Sequence, residues 1–162
     1  MLKKLIIICA LAAAPALAGE TTIGDDGIHK TDWMRDTFRD MTEDLEEANA
    51  EGKRFMVIIE QRGCIYCTKM HEEVFPDPEI KAMIEDNFFV VQLNMFGDIE
   101  VTDFDGETLS EKDMINKWNI VFTPTMMFFD DKLPAEGTTA AQAAVMTMPG
   151  AFGKFTTCLL YT

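Results

Sequence analysis

The sequence predicts an α/β domain in which a central mixed β-sheet is flanked by helices and begins with an N-terminal helix. An amphipathic helical pattern comes first, and short apolar runs rich in β-branched residues then alternate with helical segments. These runs lack the polar alternation of a strand with one face in water, so helices should cover both faces of the sheet. The length of 162 residues suits one domain with one core.

The first 18 residues have the pattern of a secretory signal peptide. Lys3 and Lys4 precede an apolar run, and Ala16–Ala18 offers the small-x-small pattern that signal peptidase cleaves. The apolar run is shorter than the ~20 residues that a membrane-spanning helix requires. We therefore expect residues 1–18, with Cys9, to be removed from a protein exported to the bacterial periplasm.

The remaining chain is strongly acidic. The formal net charge is −14, and loss of Lys3 and Lys4 leaves 28 acidic residues against 12 basic residues, a charge of −16. This charge argues against nucleic acid and anionic membranes as partners, since both attract basic surfaces. We expect a monomer that is not inserted in a membrane after signal cleavage.

Residues 19–30 are rich in Gly, Thr and Asp without periodicity, and are predicted to form a flexible arm before a single domain of residues 31–162. Apolar residues spaced three and four apart predict the first helix, with Thr31 or Asp32 capping its start and Gly52 ending it. The apolar stripe of this helix consists of Met34, Phe38, Met41, Leu45 and Ala48.

The next segment predicts the order strand, helix, helix, strand. Residues 55–59 form a continuous apolar run that suits a strand buried on both faces. Residues 64–74 predict a helix that ends before two prolines. A second short helix follows, with an Asp77 cap and Pro78 in its first position, and residues 88–95 predict another strand.

Residues 96–109 are acidic, contain two glycines and predict a surface loop or hairpin. A calcium loop fits poorly, because the sequence DFDGE lacks the third early oxygen ligand and the closing Glu of an EF-hand. Ser110 and Asp113 resemble a capping box at the start of a short helix.

The last part of the chain predicts two strands and a helix. Met126 to Phe129 is an apolar strand that follows the pair Thr123-Pro124, although proline is unusual on the approach to a buried strand. Residues 143–148 predict the last strand, and residues 152–161 a final amphipathic helix.

The cysteines indicate redox chemistry rather than a structural framework. Cys64 and Cys67 lie three apart where the first strand ends and a helix begins, and Cys158 has no obvious partner. A bridge between Cys64 and Cys67 closes too small a loop to stabilise the fold appreciably. Cys158 is predicted to be a helix residue of the core or near the surface, not a third reactive thiol.

Cys64 is predicted to be the nucleophile. The backbone N–H groups and the dipole at a helix N-terminus stabilise a thiolate there, and Arg62 adds a nearby positive charge. We expect a Cys64 pKa lowered into the roughly 3.5–7.5 range of activated cysteines. Cys67, one helical turn later, is then the shielded resolving thiol.

A CxxC pair that opens a helix after a buried strand, with Thr-Pro before a later strand, resembles the thioredoxin fold over roughly Trp33 to Phe155. The segment EQRGCIYCTKMHEEVF is similar to exported thioredoxin-like proteins of the SoxW-like group, and more distantly to periplasmic disulfide isomerases. The resemblance implies a thiol–disulfide oxidoreductase without cofactor or metal. We expect a reductant of protein or small-thiol disulfides that a membrane electron donor re-reduces, but the direction of electron flow stays open at this point, since the same steps run backwards oxidise a substrate.

The resemblance also implies which residues contact the substrate. Pro124 matches a cis-proline that faces the CxxC pair, and the backbone of Thr123 pairs with the substrate chain. Ile65 and Tyr66, between the cysteines, complete the predicted contact.

The sequence departs from thioredoxins proper at two positions. Ile58 stands where they carry a buried Asp, six residues before the first cysteine, and Gly63 replaces an aromatic residue. Glu60 is a candidate proton acceptor that would act through a water molecule. Its alternative is an exposed carboxylate at the strand end.

Two other functions fit the motif. Cys64, Cys67 and His71, with or without Met70, could carry Cu(I) or Zn(II), because thiolate and imidazole suit both ions. Met70 is expected to point elsewhere on the helix, however, and no fourth ligand is evident. The other alternative is a non-catalytic thioredoxin-fold binding module.

Overall fold

A five-stranded mixed sheet forms the centre of the domain in the computed structural model, which describes residues 21–159. The strand order is β3-β5-β4-β8-β9, with β3 and β4 parallel to β5, β8 antiparallel to β4, and β9 antiparallel to β8. The predicted class, a mixed sheet flanked by helices, is confirmed. The strands are β1 (Thr22–Ile23), β2 (His29–Lys30), β3 (Met34–Arg35), β4 (Arg54–Glu60), β5 (Phe88–Asn94), β6 (Glu100–Thr102), β7 (Thr108–Ser110), β8 (Thr125–Phe128) and β9 (Met146–Pro149).

Helices cover both faces of this sheet. A π-helical turn, Met70–Val74, continues the helix that carries the cysteines. No helix within residues 21–159 is long and apolar enough to cross a membrane. The α-helices are α1 (Met41–Ala50), α2 (Ile65–Lys69), α3 (Pro78–Asn87), α4 (Glu111–Lys117), α5 (Ala140–Ala143) and α6 (Lys154–Leu159).

Strand β4 lies between two hydrophobic clusters, which explains its unbroken apolar sequence. Phe55, Val57 and Ile59 contribute to the cluster under α1 and α4, whereas Met56 and Ile58 contribute to the cluster under α3 and the π-helical turn. Successive side chains of a strand point to opposite faces, so both faces must be apolar when both are covered. The end of β4 is thereby held rigidly where the site begins.

Helix α1 begins at Met41, eight or nine residues later than in the prediction, in which Thr31 or Asp32 capped the helix. Asp40 caps it, since the Asp40 side chain accepts hydrogen bonds from the backbone N–H groups of Thr42 and Glu43. Arg39 has φ of 57°, in the left-handed region, which a continuing helix cannot contain. Phe38, a member of the predicted apolar stripe, is 93% exposed.

Within the predicted arm, β1 and β2 form a short antiparallel hairpin. Ile28 is almost completely buried, so the hairpin packs on the domain. The hairpin was not predicted from the sequence, because strands of two residues are too short to produce a periodic pattern of apolar residues. The predicted signal peptide, residues 1–18, lies outside the described residues, as does the side chain of Cys158.

The second half of the chain agrees with the prediction except near its end. Residues 100–110 form the β6–β7 hairpin, and the Ser110 hydroxyl accepts the N–H of Asp113 at the start of α4. The predicted strand at residues 143–148 begins only at Met146, because a capping box between Thr139 and Gln142 starts α5 before it. The final helix, predicted for residues 152–161, is α6.

Candidate active site

The two CxxC cysteines lie where β4 gives way to α2. Cys64 is the N-cap residue of α2 and Cys67 lies in its first turn. A disulfide bond joins them. Cys64 is 6% exposed and Cys67 is fully buried. Cys64 is therefore the sulfur nearer to solvent, and any partner thiol or disulfide reaches it first.

Polar groups surround the Cys64 sulfur. The backbone N–H of Cys67 donates a hydrogen bond to Sγ of Cys64 at 3.0 Å, and the hydroxyl of Thr123 donates to the same sulfur at 3.4 Å. After reduction these donors face a Cys64 thiolate, and hydrogen bonds to the charged form of a thiol favour that form. The arrangement therefore favours Cys64 as the nucleophile.

The segment that precedes β8 lies beside Cys64. The peptide bond between Thr123 and Pro124 is cis, as the resemblance implied. The carbonyl oxygen of Thr123 lies 3.5 Å from Sγ of Cys64. The structure thus brings together the two cysteines, Thr123 and Pro124, which are about 60 residues apart in sequence.

Apolar side chains on both sides of Cys64 are exposed. Ile65 is 73% exposed and Tyr66 is 57% exposed on α2. Val121 and Phe122 are 67% and 64% exposed in the segment that leads to Thr123. Val121 and Phe122 were not among the predicted site residues, although two large apolar residues directly before the Thr-Pro pair are a usable signal in the sequence.

Glu60 is fully buried at the end of β4, so the alternative that placed it exposed at the strand end is wrong. Its two carboxylate oxygens lie 3.0 and 3.2 Å from Nε2 of His71. Gln92 on β5 donates an amide hydrogen to the second oxygen and another to the backbone carbonyl of His29. A buried carboxylate is costly unless it is hydrogen-bonded or paired, and these partners supply that compensation.

Both histidines of the chain meet at this carboxylate. The His29 ring on β2 stacks on the His71 ring, with centroids 4.5 Å apart and planes 11° apart. Burial lowers the pKa of His29, and the adjacent His71 lowers it further. Nδ1 of the buried His71 has no hydrogen-bond partner in the described part of the chain. This cluster was not predicted from the sequence.

The metal-ligand set proposed from sequence, Cys64, Cys67 and His71, is not the one that the described residues assemble. The cysteine sulfurs are bonded to each other. His71 instead groups with Glu60 and His29. Met70 is buried in the core, where its sulfur accepts the N–H of Phe152 at 3.3 Å.

Two further predicted features of the site have specific positions. Ile58, at the place of the acid in thioredoxins proper, is fully buried in the hydrophobic cluster under α3. Arg62, expected to add charge near Cys64, donates to the carbonyl oxygen of Asp26 at 3.4 Å and so contacts the β1–β2 hairpin.

Comparison with known proteins agrees with this geometry. A family model described as a thioredoxin-like domain matches residues 41–143. The solution structure of a thioredoxin from Thermus thermophilus is similar with a TM-score of 0.54 and 21% identity, over 74% of this chain and 79% of that one. The C-terminal domain of Neisseria meningitidis DsbD in its oxidised form is similar with a TM-score of 0.48 and 11% identity, over 74% and 88% of the two chains. Among curated proteins no sequence matches.

Proposed function

Because the chain belongs to the thioredoxin-like domain family and is a thiol–disulfide oxidoreductase, we propose that it acts in the bacterial periplasm as a reductant of protein or small-thiol disulfides. The location is proposed from the signal-peptide pattern of residues 1–18. Residues 31–162 are proposed to be one domain, and the β1–β2 hairpin packs on it. The reductant direction is part of this proposal, and the reduction potential of the Cys64–Cys67 pair tests it.

The proposed cycle begins with both cysteines reduced. The Cys64 thiolate attacks one sulfur of a substrate disulfide, which forms a mixed disulfide and releases the other substrate sulfur as a thiolate. Cys67 then loses its proton and attacks Sγ of Cys64. This step forms the Cys64–Cys67 disulfide and releases the second substrate thiol, so two electrons have passed to the substrate. A membrane electron donor restores the dithiol by supplying two electrons and two protons.

The observation that carries this proposal is the environment of Cys64. Its sulfur is the partly accessible one of the pair and receives hydrogen bonds from the Cys67 N–H and the Thr123 hydroxyl. Cys67 is fully buried and can be attacked only after local rearrangement. This asymmetry favours Cys64 as attacking sulfur and Cys67 as resolving sulfur.

We propose that the substrate chain lies along Thr123 and Pro124 and contacts Ile65 and Tyr66. The backbone of Thr123 beside Cys64 offers an edge for strand-like pairing with an extended chain. The exposed apolar side chains of α2, together with Phe122 across from them, would contact the substrate side chains. Affinity for folded proteins then depends on apolar contact in addition to the disulfide itself.

We propose Glu60 as the proton acceptor that assists Cys67. It lies at the end of β4, four residues before Cys64, and it is bonded to His71, which is four residues after Cys67. Hydrogen bonds to His71 and Gln92 keep the Glu60 carboxylate in the interior of the protein. A water molecule would connect Glu60 with the Cys67 sulfur.

Cysteine variants test the proposed function. Cys64→Ser should abolish reduction of a protein disulfide, whereas Cys67→Ser should accumulate mixed disulfides through Cys64, visible by non-reducing electrophoresis and mass spectrometry. Cys158→Ser is the matched control and should retain full activity. Full activity of both Cys64→Ser and Cys67→Ser would refute the proposal.

A further inference from the structure

His29, Glu60 and His71 supply a combination of donors that suits a divalent transition metal. Each offers one ligand atom, and these three atoms lie within 4.8 Å of one another. Two imidazoles and one carboxylate form the protein ligand set of many zinc sites that leave a further position to solvent. From this geometry we propose that His29, Glu60 and His71 bind a Zn²⁺-type divalent ion beneath the CxxC helix.

The separation between two of the donors is already close to that of metal ligands. Zn–N and Zn–O bonds of about 2.0–2.2 Å at tetrahedral angles place neighbouring ligand atoms roughly 3.3–3.6 Å apart. Nε2 of His71 lies 3.0 and 3.2 Å from the carboxylate oxygens of Glu60. The two donors are thus slightly closer to each other than neighbouring ligands of a bound ion, and the His71 ring must turn so that its lone pair points at the ion instead of at Glu60.

Hydrogen bonds that would hold a metal ligand in place are present for Glu60. Gln92 donates to one of its oxygens and is itself held by Lys30, whose ammonium donates to the Gln92 side-chain oxygen at 2.8 Å. Hydrogen-bonded carboxylates of this kind are typical of metal sites, where the outer partners orient the ligand. The carboxylate is thus aimed at His71 before any ion arrives.

His29 provides the adjustable ligand and the route to solvent. Its ring is partly exposed on a short hairpin and has one weak polar side-chain contact, 3.5 Å from Nε2 to the hydroxyl of Thr68. Coordination requires the His29 ring to tilt out of its stack on His71, because a metal binds in the plane of an imidazole. Glu60 and His71 are buried in the interior, so His29 makes the largest movement.

Zinc titration of the oxidised protein tests the inference without help from thiols. The experiment uses protein without a histidine tag, with the Cys64–Cys67 disulfide intact and the remaining thiols alkylated. Calorimetry with Zn²⁺ should give one site per chain. Since the chain has only two histidines, the ring signals of both should shift together in NMR spectra at one equivalent.

Matched variants distinguish Zn²⁺ binding at His29, Glu60 and His71 from Zn²⁺ binding at carboxylates of the acidic surface. Glu60→Gln and His29→Phe should weaken Zn²⁺ binding at least about tenfold, since even outer partners of ligands contribute 10–100-fold. His29→Phe keeps an aromatic ring against His71, and near-UV circular dichroism checks that both variants fold. Glu72→Gln is the control. It removes the same charge as Glu60→Gln, but from an exposed residue next to His71 in the π-helical turn, and should leave the affinity for Zn²⁺ unchanged.

The inference is overturned by any of three results. These are the absence of a one-to-one site in the oxidised protein, equal affinity of the Glu60→Gln variant and the unaltered protein, and equal weakening by Glu72→Gln and Glu60→Gln. The cluster would then be a hydrogen-bonded array without a metal. The functions of Cys64 and Cys67 in thiol–disulfide exchange are tested separately by the cysteine variants. Glu60 can accept the Cys67 proton only in the metal-free protein, because a carboxylate that binds the ion is not free to take up a proton.

Discussion

Asp44 should make the protein less stable as the pH rises from about 4 to about 7. This residue of α1 is only 2% exposed, and burial raises the pKa of Asp44 to about 7, with Asp40 and Glu47 adding to the increase. Thr37, which donates to the Asp44 carboxylate at 3.2 Å, and Arg39 partly oppose it.

The sign follows from proton binding in the two states. The unfolded chain releases the Asp44 proton near pH 3.8, whereas the folded chain keeps it until about pH 7. Between these values the folded state binds more protons, so the free energy of unfolding falls as the pH rises. The difference corresponds to roughly 4 kcal/mol above pH 7, an upper bound because water and nearby charges relax around the carboxylate.

Asp44→Asn removes this penalty and retains an acceptor for Thr37. The variant should therefore be more stable than the unaltered protein at pH 8, by up to about 4 kcal/mol, and the gap should shrink towards pH 4. Urea unfolding at pH 4, 6 and 8 measures it, with Glu46→Gln on an exposed position of the same helix as the charge-matched control. Stability curves of the unaltered protein and Asp44→Asn that stay parallel from pH 4 to 8 would refute the reasoning.

Three other predictions concern the substrate surface, the buried acids and the proton path. Phe122→Ser should raise KM for a protein disulfide several-fold, about 1 kcal/mol, with no change for a small disulfide. Leu133→Ser, an exposed position after the other end of β8, should change neither KM. Asp103→Ala should lower the free energy of unfolding by about 3 kcal/mol. The buried Asp103 carboxylate accepts the Trp118 indole N–H at 2.9 Å and also pairs with Lys117. Urea unfolding measures the change, and a decrease below about 1 kcal/mol would contradict this prediction. Glu60→Gln should slow decay of the mixed disulfide more than its formation in stopped-flow experiments, and equal effects on both steps would argue against the proton path.

Local patterns predicted most of the scaffold and the reactive pair. The apolar run at residues 55–59 became β4, Asp77 and Pro78 start α3 as predicted, and the CxxC pair opens a helix at the strand end. Each of these features depends on residues that are near neighbours in sequence. Such features are visible in one chain because capping, periodicity and strand burial are local requirements.

The predicted start of α1 was wrong because Asp40, and not Thr31 or Asp32, is the N-cap residue of the helix. Asp40 with Glu43 three residues later has the spacing of an N-terminal capping signal. The apolar spacing of Met34 and Phe38 happened to extend the stripe backwards. Pairing of Met34 with β5 placed this segment in the sheet instead, so tertiary contact overrode the periodic pattern.

The buried cluster could not be predicted from local patterns. His29 and His71 are 42 residues apart, and the hairpin that carries His29 has no periodicity. A carboxylate at a strand end is usually exposed, but β5 places Gln92 beside Glu60 and the π-helical turn places His71 there. Only the assembled fold brings His71 and Gln92 to Glu60, where their hydrogen bonds compensate the burial of the carboxylate.

The reduction potential of the Cys64–Cys67 pair tests the central claim most directly. Equilibration of the protein with defined ratios of reduced and oxidised dithiol, followed by thiol alkylation and mass spectrometry, gives this value. A reductant of substrate disulfides should have a potential near about −270 mV, the value of thioredoxin. A potential near about −120 mV would make the protein an oxidant and contradict the proposed direction of electron flow.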